Sequence, residues 1–71
     1  MTTVITFPTT ADAFAFEAAA KAAALPGRLS TIPRSLSAGC GFAWSAPDEA
    51  REQLVAFVAQ RGLEVEGVHT I

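Results

Sequence analysis

A chain of 71 residues with one cysteine (Cys40) and one histidine (His69) closes no internal disulfide and lacks the ligands of a structural zinc site, so neither metal nor cofactor is expected. Five basic residues against seven acidic ones give a net charge of −2 with no Lys/Arg cluster, which argues against a nucleic-acid or anionic-membrane surface. At 51% hydrophobic and 17% charged, the composition is that of one folded domain over 1–71, held by tight packing or self-association.

Met1 to Val4 carries no basic region ahead of a long apolar run, so no targeting segment is expected. Thr3 to Phe7 is β-branched and aromatic, ends at Pro8, and predicts a first strand. Thr9 or Thr10 then N-caps a helix over Ala11 to Leu25, with Asp12 in its first turn and a stop at Pro26-Gly27. Phe14, Ala18 and Leu25 are expected to face a sheet. Asp12, Glu17 and Lys21 make this stretch too charged to cross a membrane. Arg28 to Ile32 predicts a second strand ending at Pro33, Arg34 to Gly41 a loop, and Gly41 to Ser45 a third strand. Ser45 and Asp48 resemble a capping box with Pro47 in the first turn of a second helix. Ala50, Leu54, Phe57 and Val58 form its apolar stripe, and Gly62 ends it. Glu64 to Thr70 predicts the last strand.

The order β-α-β-β-α-β is the α+β, ferredoxin-like two-layer sandwich: a four-stranded antiparallel sheet with two helices on one face. In that topology strands one and two run parallel, so the ends of both, the start of helix one and the hairpin between strands two and three share one edge of the sheet. Thr9, Thr10 and the helix N-terminus are therefore expected beside the loop of Cys40. Helix N-termini and cations both favour thiolate over thiol, and Arg34 is the cation of that loop. Gly39 and Gly41 allow the backbone to turn sharply and leave the sulfur uncovered. A lone free thiol suits a reducing compartment, so a cytoplasmic location is expected.

Pro33-Arg34-x-Leu36-Ser37-x-x-Cys40-Gly41, preceded by Phe7-x-Thr9-Thr10-x-x-Ala13-Phe14-x-x-Glu17, resembles the DUF3343 family of selenium/sulfur-carrier-like small proteins. The resemblance covers about Ile5 to Trp44. It implies a carrier whose Cys40 holds sulfur or selenium as a persulfide or perselenide, with Arg34, Ser37 and Gly41 matching the rest of the loop pattern. The sequence departs from that pattern at Ala11, where the family often has histidine, at Ala18, where it often has lysine, and at Thr31, in place of a common proline.

A carrier is a co-substrate of a sulfur donor protein and an acceptor protein more than an enzyme, and this chain offers no second chemical group for catalysis of its own. The alternative is a protein-interaction or regulatory module with a structural or redox-sensing cysteine. Two helices leave one sheet face open, and some of Val4, Thr6, Phe42, Trp44, Val65 and Val68 are expected on it. A homodimer through that face, with Trp44 as an anchor, belongs to this second reading. Against these functions stand simpler roles: capping for Thr9 and Thr10, a solvated loop cation for Arg34, loop hydrogen bonding for Ser35 and Ser37. Glu17 is read as a solvated helix residue, and His69 as a surface strand residue.

Overall fold

The computed structural model describes residues 1–31 and 41–71. Ile32, expected at the end of the second strand, and the loop residues Arg34, Ser35, Ser37, Gly39 and Cys40 lie outside the described residues. The elements are β1 (Thr2–Thr6), α1 (Thr10–Ala22), β2 (Arg28–Thr31), β3 (Phe42–Pro47), a single 3₁₀ turn (Asp48–Ala50), α2 (Arg51–Arg61) and β4 (Gly67–Thr70). The strands form one sheet in the order β2-β3-β1-β4, and every neighbouring pair is antiparallel. Because β1 and β2 both oppose β3, they run in the same direction. This is the expected α+β, ferredoxin-like sandwich.

One face of the sheet holds the core. Ile5 of β1 and Phe7 just beyond it, with Trp44 and Ala46 of β3, pack against Ala13, Phe16 and Ala20 of α1 and Leu54 and Phe57 of α2. Phe16 is the hub, with ring centroids 5.3 Å from Phe7, 5.4 Å from Trp44 and 6.1 Å from Phe57. The two wider contacts are edge-to-face, the arrangement that ring quadrupoles favour. Alanines on α1 let the helix approach this aromatic layer closely. The inward face of α1 is Ala13, Phe16 and Ala20, so the expectation for Phe14 and Ala18 is corrected: both are exposed. A run in which nearly every residue is apolar carries no periodic contrast, and one step of rotation separated the two readings.

α1 also stops three residues earlier than expected. Ala24 takes a left-handed conformation, φ +55°. Its N–H reaches Lys21 O at 3.1 Å, and the Leu25 N–H reaches Ala20 O at 2.9 Å. This is a Schellman stop built on alanine, with Leu25 folding back onto the core. Pro26 and Gly27 then cross close to Trp44, whose indole Nε1–H donates to Pro26 O at 3.0 Å.

The expected start of α2 is corrected as well. Ser45 belongs to β3, opposite Val4 and Arg28, and caps nothing. Asp48 opens the 3₁₀ turn, and its Oδ1 accepts from Thr3 Oγ1 at 2.9 Å and from Thr70 Oγ1 at 3.5 Å. Arg51 donates to the same Thr70 hydroxyl. The carboxylate thus ties the start of the helical segment to β1 and β4 across the sheet. The stripe Ala50, Leu54, Phe57 and Val58 faces the core as expected, and Gly62 closes α2 with φ +63°. β4 begins only at Gly67, later than the expected Glu64.

The second face of the sheet differs from the expectation. Trp44 is 1% exposed and lies in the core, with Phe42, Val65 and Val68 packed against that core. It is therefore no anchor on the open face. Alternation along the paired strands assigns Val4, Thr6, Ala43, Ser45, Ser30 and His69 to the opposite side. The expectation that this face is open is corrected there: Val4, Thr6 and Ala43 are buried at 1%, 0% and 0% exposed, and Arg28, opposite Ser45, shares the side. Ser30 and Ser45 Oγ lie 3.4 Å apart, and Thr6 Oγ1 lies 3.3 Å from Gly67 O.

Candidate functional site

The register fixes which edge carries the cysteine segment. Thr6 sits opposite Ala43, Ala43 opposite Ser30, and Phe42 opposite Thr31. β1 therefore ends level with the point where β2 leaves the sheet and β3 enters it. Three residues after Thr6, Thr9 caps α1. The connection between Thr31 and Phe42 thus departs and returns at the edge where α1 begins, as the topology predicts. Cys40 precedes Gly41 directly in the chain.

Of the expected site residues, the structure describes Thr9, Thr10 and Gly41. Thr9 is an N-cap with extended backbone, φ −138° and ψ 161°. Its Oγ1 accepts from the Asp12 N–H at 3.1 Å and donates to Asp12 Oδ2 at 2.7 Å. Both capacities of the hydroxyl are thus engaged locally, which is the capping role. Ala13 N–H reaches Thr9 O at 3.2 Å, so the amides of Thr10 and Ala11 remain at the open end of the helix. Thr10 is exposed as the first helical residue. Gly41 has φ +79°, with nothing within 4 Å of where a Cβ would stand. Its requirement for glycine is therefore conformational rather than steric, consistent with a sharp turn at this point. Arg34, Ser37, Gly39 and Cys40 lie outside the described residues.

Two further residues at this edge were not assigned to the site by sequence. Phe14, in the second turn of α1, is 49% exposed and meets Phe42 with ring centroids 5.6 Å apart. Phe42 follows Cys40 by two residues, so this contact joins α1 to the strand entering from the cysteine segment. His69 is half-buried on the second face of the sheet, with Nε2 3.4 Å from Thr6 Oγ1. The cross-strand pairing of His69 with Val4 was the only signal that could have found it, and it depends on a register that sequence does not supply. Glu17, exposed in expectation, pairs with Lys21 at 3.6 Å along one helix face.

A shallow groove of about 540 Å³ lies on the outer face of α2, lined by Arg51, Glu52, Val55, Ala56 and Ala59. Of the expected site residues among the described ones, Thr9, Thr10 and Gly41, none borders it. Among the described residues, no three His, Cys, Asp or Glu side chains cluster to hold a metal ion, and no helix is long and apolar enough to cross a membrane.

The family model described as "Putative Se/S carrier protein-like" matches residues 2–70, from the first residue of β1 to the last of β4. The chain belongs to this family. No curated protein and no solved structure matches it. The match to the Se/S-carrier-like family runs through the connection between β2 and β3, so Pro33-Arg34 and Cys40-Gly41 lie inside the shared length.

Proposed function

We propose that this Se/S-carrier-like protein carries sulfur or selenium on Cys40, as a persulfide or perselenide, between a donor protein and an acceptor protein of the cytoplasm. The observation that carries the reading is the family match over residues 2–70 in a chain with a single cysteine. The strand ends that flank the cysteine-bearing connection, Thr31 and Phe42, lie at the edge where α1 starts, which supports it. The positive end of a helix macrodipole favours a nearby anion.

The loading step is a thiol exchange. Cys40 thiolate attacks the terminal sulfur of a donor persulfide, R–S–SH. A new S–S bond forms to Cys40, the old S–S bond breaks, and R–S⁻ leaves, giving Cys40–S–SH. No oxidant is consumed, and the sulfane sulfur keeps its oxidation state. Unloading is the same exchange with an acceptor thiolate. In this reading Arg34 and the loop N–H groups hold the anionic sulfur, Ser37 hydrogen-bonds it, and Gly39 and Gly41 keep it open to the partner.

The test is intact-mass spectrometry after incubation with glutathione persulfide. The wild-type chain is expected to gain the mass of one sulfur atom, lost again on treatment with a thiol reductant. Cys40→Ser is expected to gain nothing while keeping the same helical circular dichroism. Loading that survives Cys40→Ser, or a wild type that takes up no sulfur, refutes the proposal.

A further inference from the structure

We infer that two copies of this chain join β4 to β4, antiparallel about a two-fold axis at His69, with their α2 helices side by side on one face of the continued sheet. The inference does not depend on the carrier reading. Among the described residues β4 pairs with β1 alone and forms one edge of the sheet. An edge strand presents a row of unpaired N–H and C=O groups, which proteins commonly blunt with charged side chains, proline or a bulge. β4 reads Gly67-Val68-His69-Thr70 and carries no Lys, Arg, Asp, Glu or Pro. The opposite edge, β2, begins with the exposed Arg28.

The ladder fixes which backbone groups of β4 point outward. Thr2 and Ile71 exchange both hydrogen bonds, at 2.7 and 2.9 Å. Alternation along an antiparallel pair then turns the N–H and C=O of His69 towards Val4, and those of Val68 and Thr70 away from β1. Groups in this spacing complement themselves. Val68 of one copy set opposite Thr70 of the other, with His69 opposite His69, satisfies every outward group of both residues. A register centred on Val68 or on Thr70 instead pairs one of them with a position outside β4. A second observation lies on the same side of the molecule. The start of α2 is tied to β4, where Arg51 donates to Thr70 Oγ1. Phe57 turns towards Phe16 of α1. Val55, two positions away and so about 200° round the helix, lies on the far flank and is 45% exposed. It lines the shallow groove with Arg51, Glu52, Ala56 and Ala59. The alanines admit close approach of a second helix, and the groove carries one charge of each sign, so two copies meet without net repulsion. The two-fold axis at His69 sets these flanks against each other above the joined strands. The strand edge and the groove thus share one occupant, a second copy of this chain.

The experiment is the mass of the full chain in solution by sedimentation velocity, with reductant present so that Cys40 forms no cross-link. The wild type is expected at twice 7.4 kDa. His69→Glu and His69→Lys each set like charges opposite one another and are expected to weaken the dimer about tenfold or more, with the tryptophan fluorescence of the folded chain retained. Mixing the two variants in equal amounts is expected to restore the dimer, because Glu then faces Lys. Val55→Glu, at an exposed position outside the sheet, is expected to weaken the dimer as well, and Thr31→Glu, at the other edge, to leave it intact. A wild type of 7.4 kDa at every concentration overturns the inference. So does a dimer that the His69 variants or Val55→Glu leave unchanged, a mixture that stays monomeric, or a dimer lost in Thr31→Glu.

Discussion

Replacing Gly27 with alanine tests how the core is closed. Gly27 has φ +109°, a conformation that disfavours any side chain. A Cβ there would lie 2.5 Å from Trp44 Nε1, 2.6 Å from Ser45 O and 2.9 Å from Ala46 Cβ. Ser45 O is strand backbone and cannot retreat without opening β3. Trp44 is 1% exposed between Phe16 and the segment above it, so its indole has nowhere to go. The backbone conformation costs about 1–2 kcal/mol, the overpacking about 1–3 kcal/mol, and a displaced indole that loses Pro26 O about 1–3 kcal/mol more. Together these amount to about 3–8 kcal/mol, against about 4–11 kcal/mol for the stability of a chain this long. Urea unfolding followed by the fluorescence of the single tryptophan measures the loss. Gly62→Ala is the internal control. It also has positive φ, +63°, but nothing within 4 Å of the added Cβ, so it should lose only the conformational part, about 1 kcal/mol. If Gly27→Ala unfolds within about 1 kcal/mol of Gly62→Ala, the steric account of the Trp44 contact is wrong.

Ala24→Gly should stabilise the protein by about 1 kcal/mol, because it relieves a left-handed alanine at the Schellman stop of α1; a lower urea midpoint would contradict that geometry. Thr9→Ala should cost about 1 kcal/mol by the same measurement and leave the alkylation rate of Cys40 unaltered, since the hydroxyl is committed to Asp12; a change in thiol reactivity at constant folded fraction would assign Thr9 to the site instead. Arg34→Ala should raise the pH at which Cys40 becomes reactive towards iodoacetamide, the direction set by removing a cation that favours thiolate; an unchanged profile between pH 5 and about 9 would remove Arg34 from the thiol's surroundings.

The fold was legible because its strong signals were local. Val4 and Ile5, the Pro8-Thr9-Thr10 boundary, the stripe from Ala50 to Val58 and Gly62 each announce an element through propensity, capping or period. The misreadings fall where the deciding interaction is distant in sequence. Ser45 and Asp48 look like a capping pair, but Asp48 answers to Thr3 and Thr70, far away in the chain, and Ser45 is held in β3 by pairing on both sides. Trp44 looks like a surface anchor until Phe16 and Pro26 are found around it. Phe14 and Phe16 differ by two positions in an alanine-rich helix, and only the packed layer decides which of them goes inward. At the site, topology was enough to bring the start of α1 to the edge where β2 ends and β3 begins; Cys40 itself lies outside the described residues. The contact between Phe14 and Phe42 was not foreseeable, because it depends on the helix rotation that the alanines left open.

The pairing of Thr31 with Phe42 has a consequence for how such a protein can change. It pins both ends of the ten-residue excursion 32–41 within the sheet. The entropy of closing a loop grows only logarithmically with its length, about 0.6 kcal/mol for each doubling. Residues can therefore be inserted or exchanged between those two anchors at little expense to the sheet, whose cohesion comes from the layer around Phe16. Selection can retune the segment around Cys40 without renegotiating the fold, so that the chemistry of that segment and the durability of the sheet evolve on separate tracks.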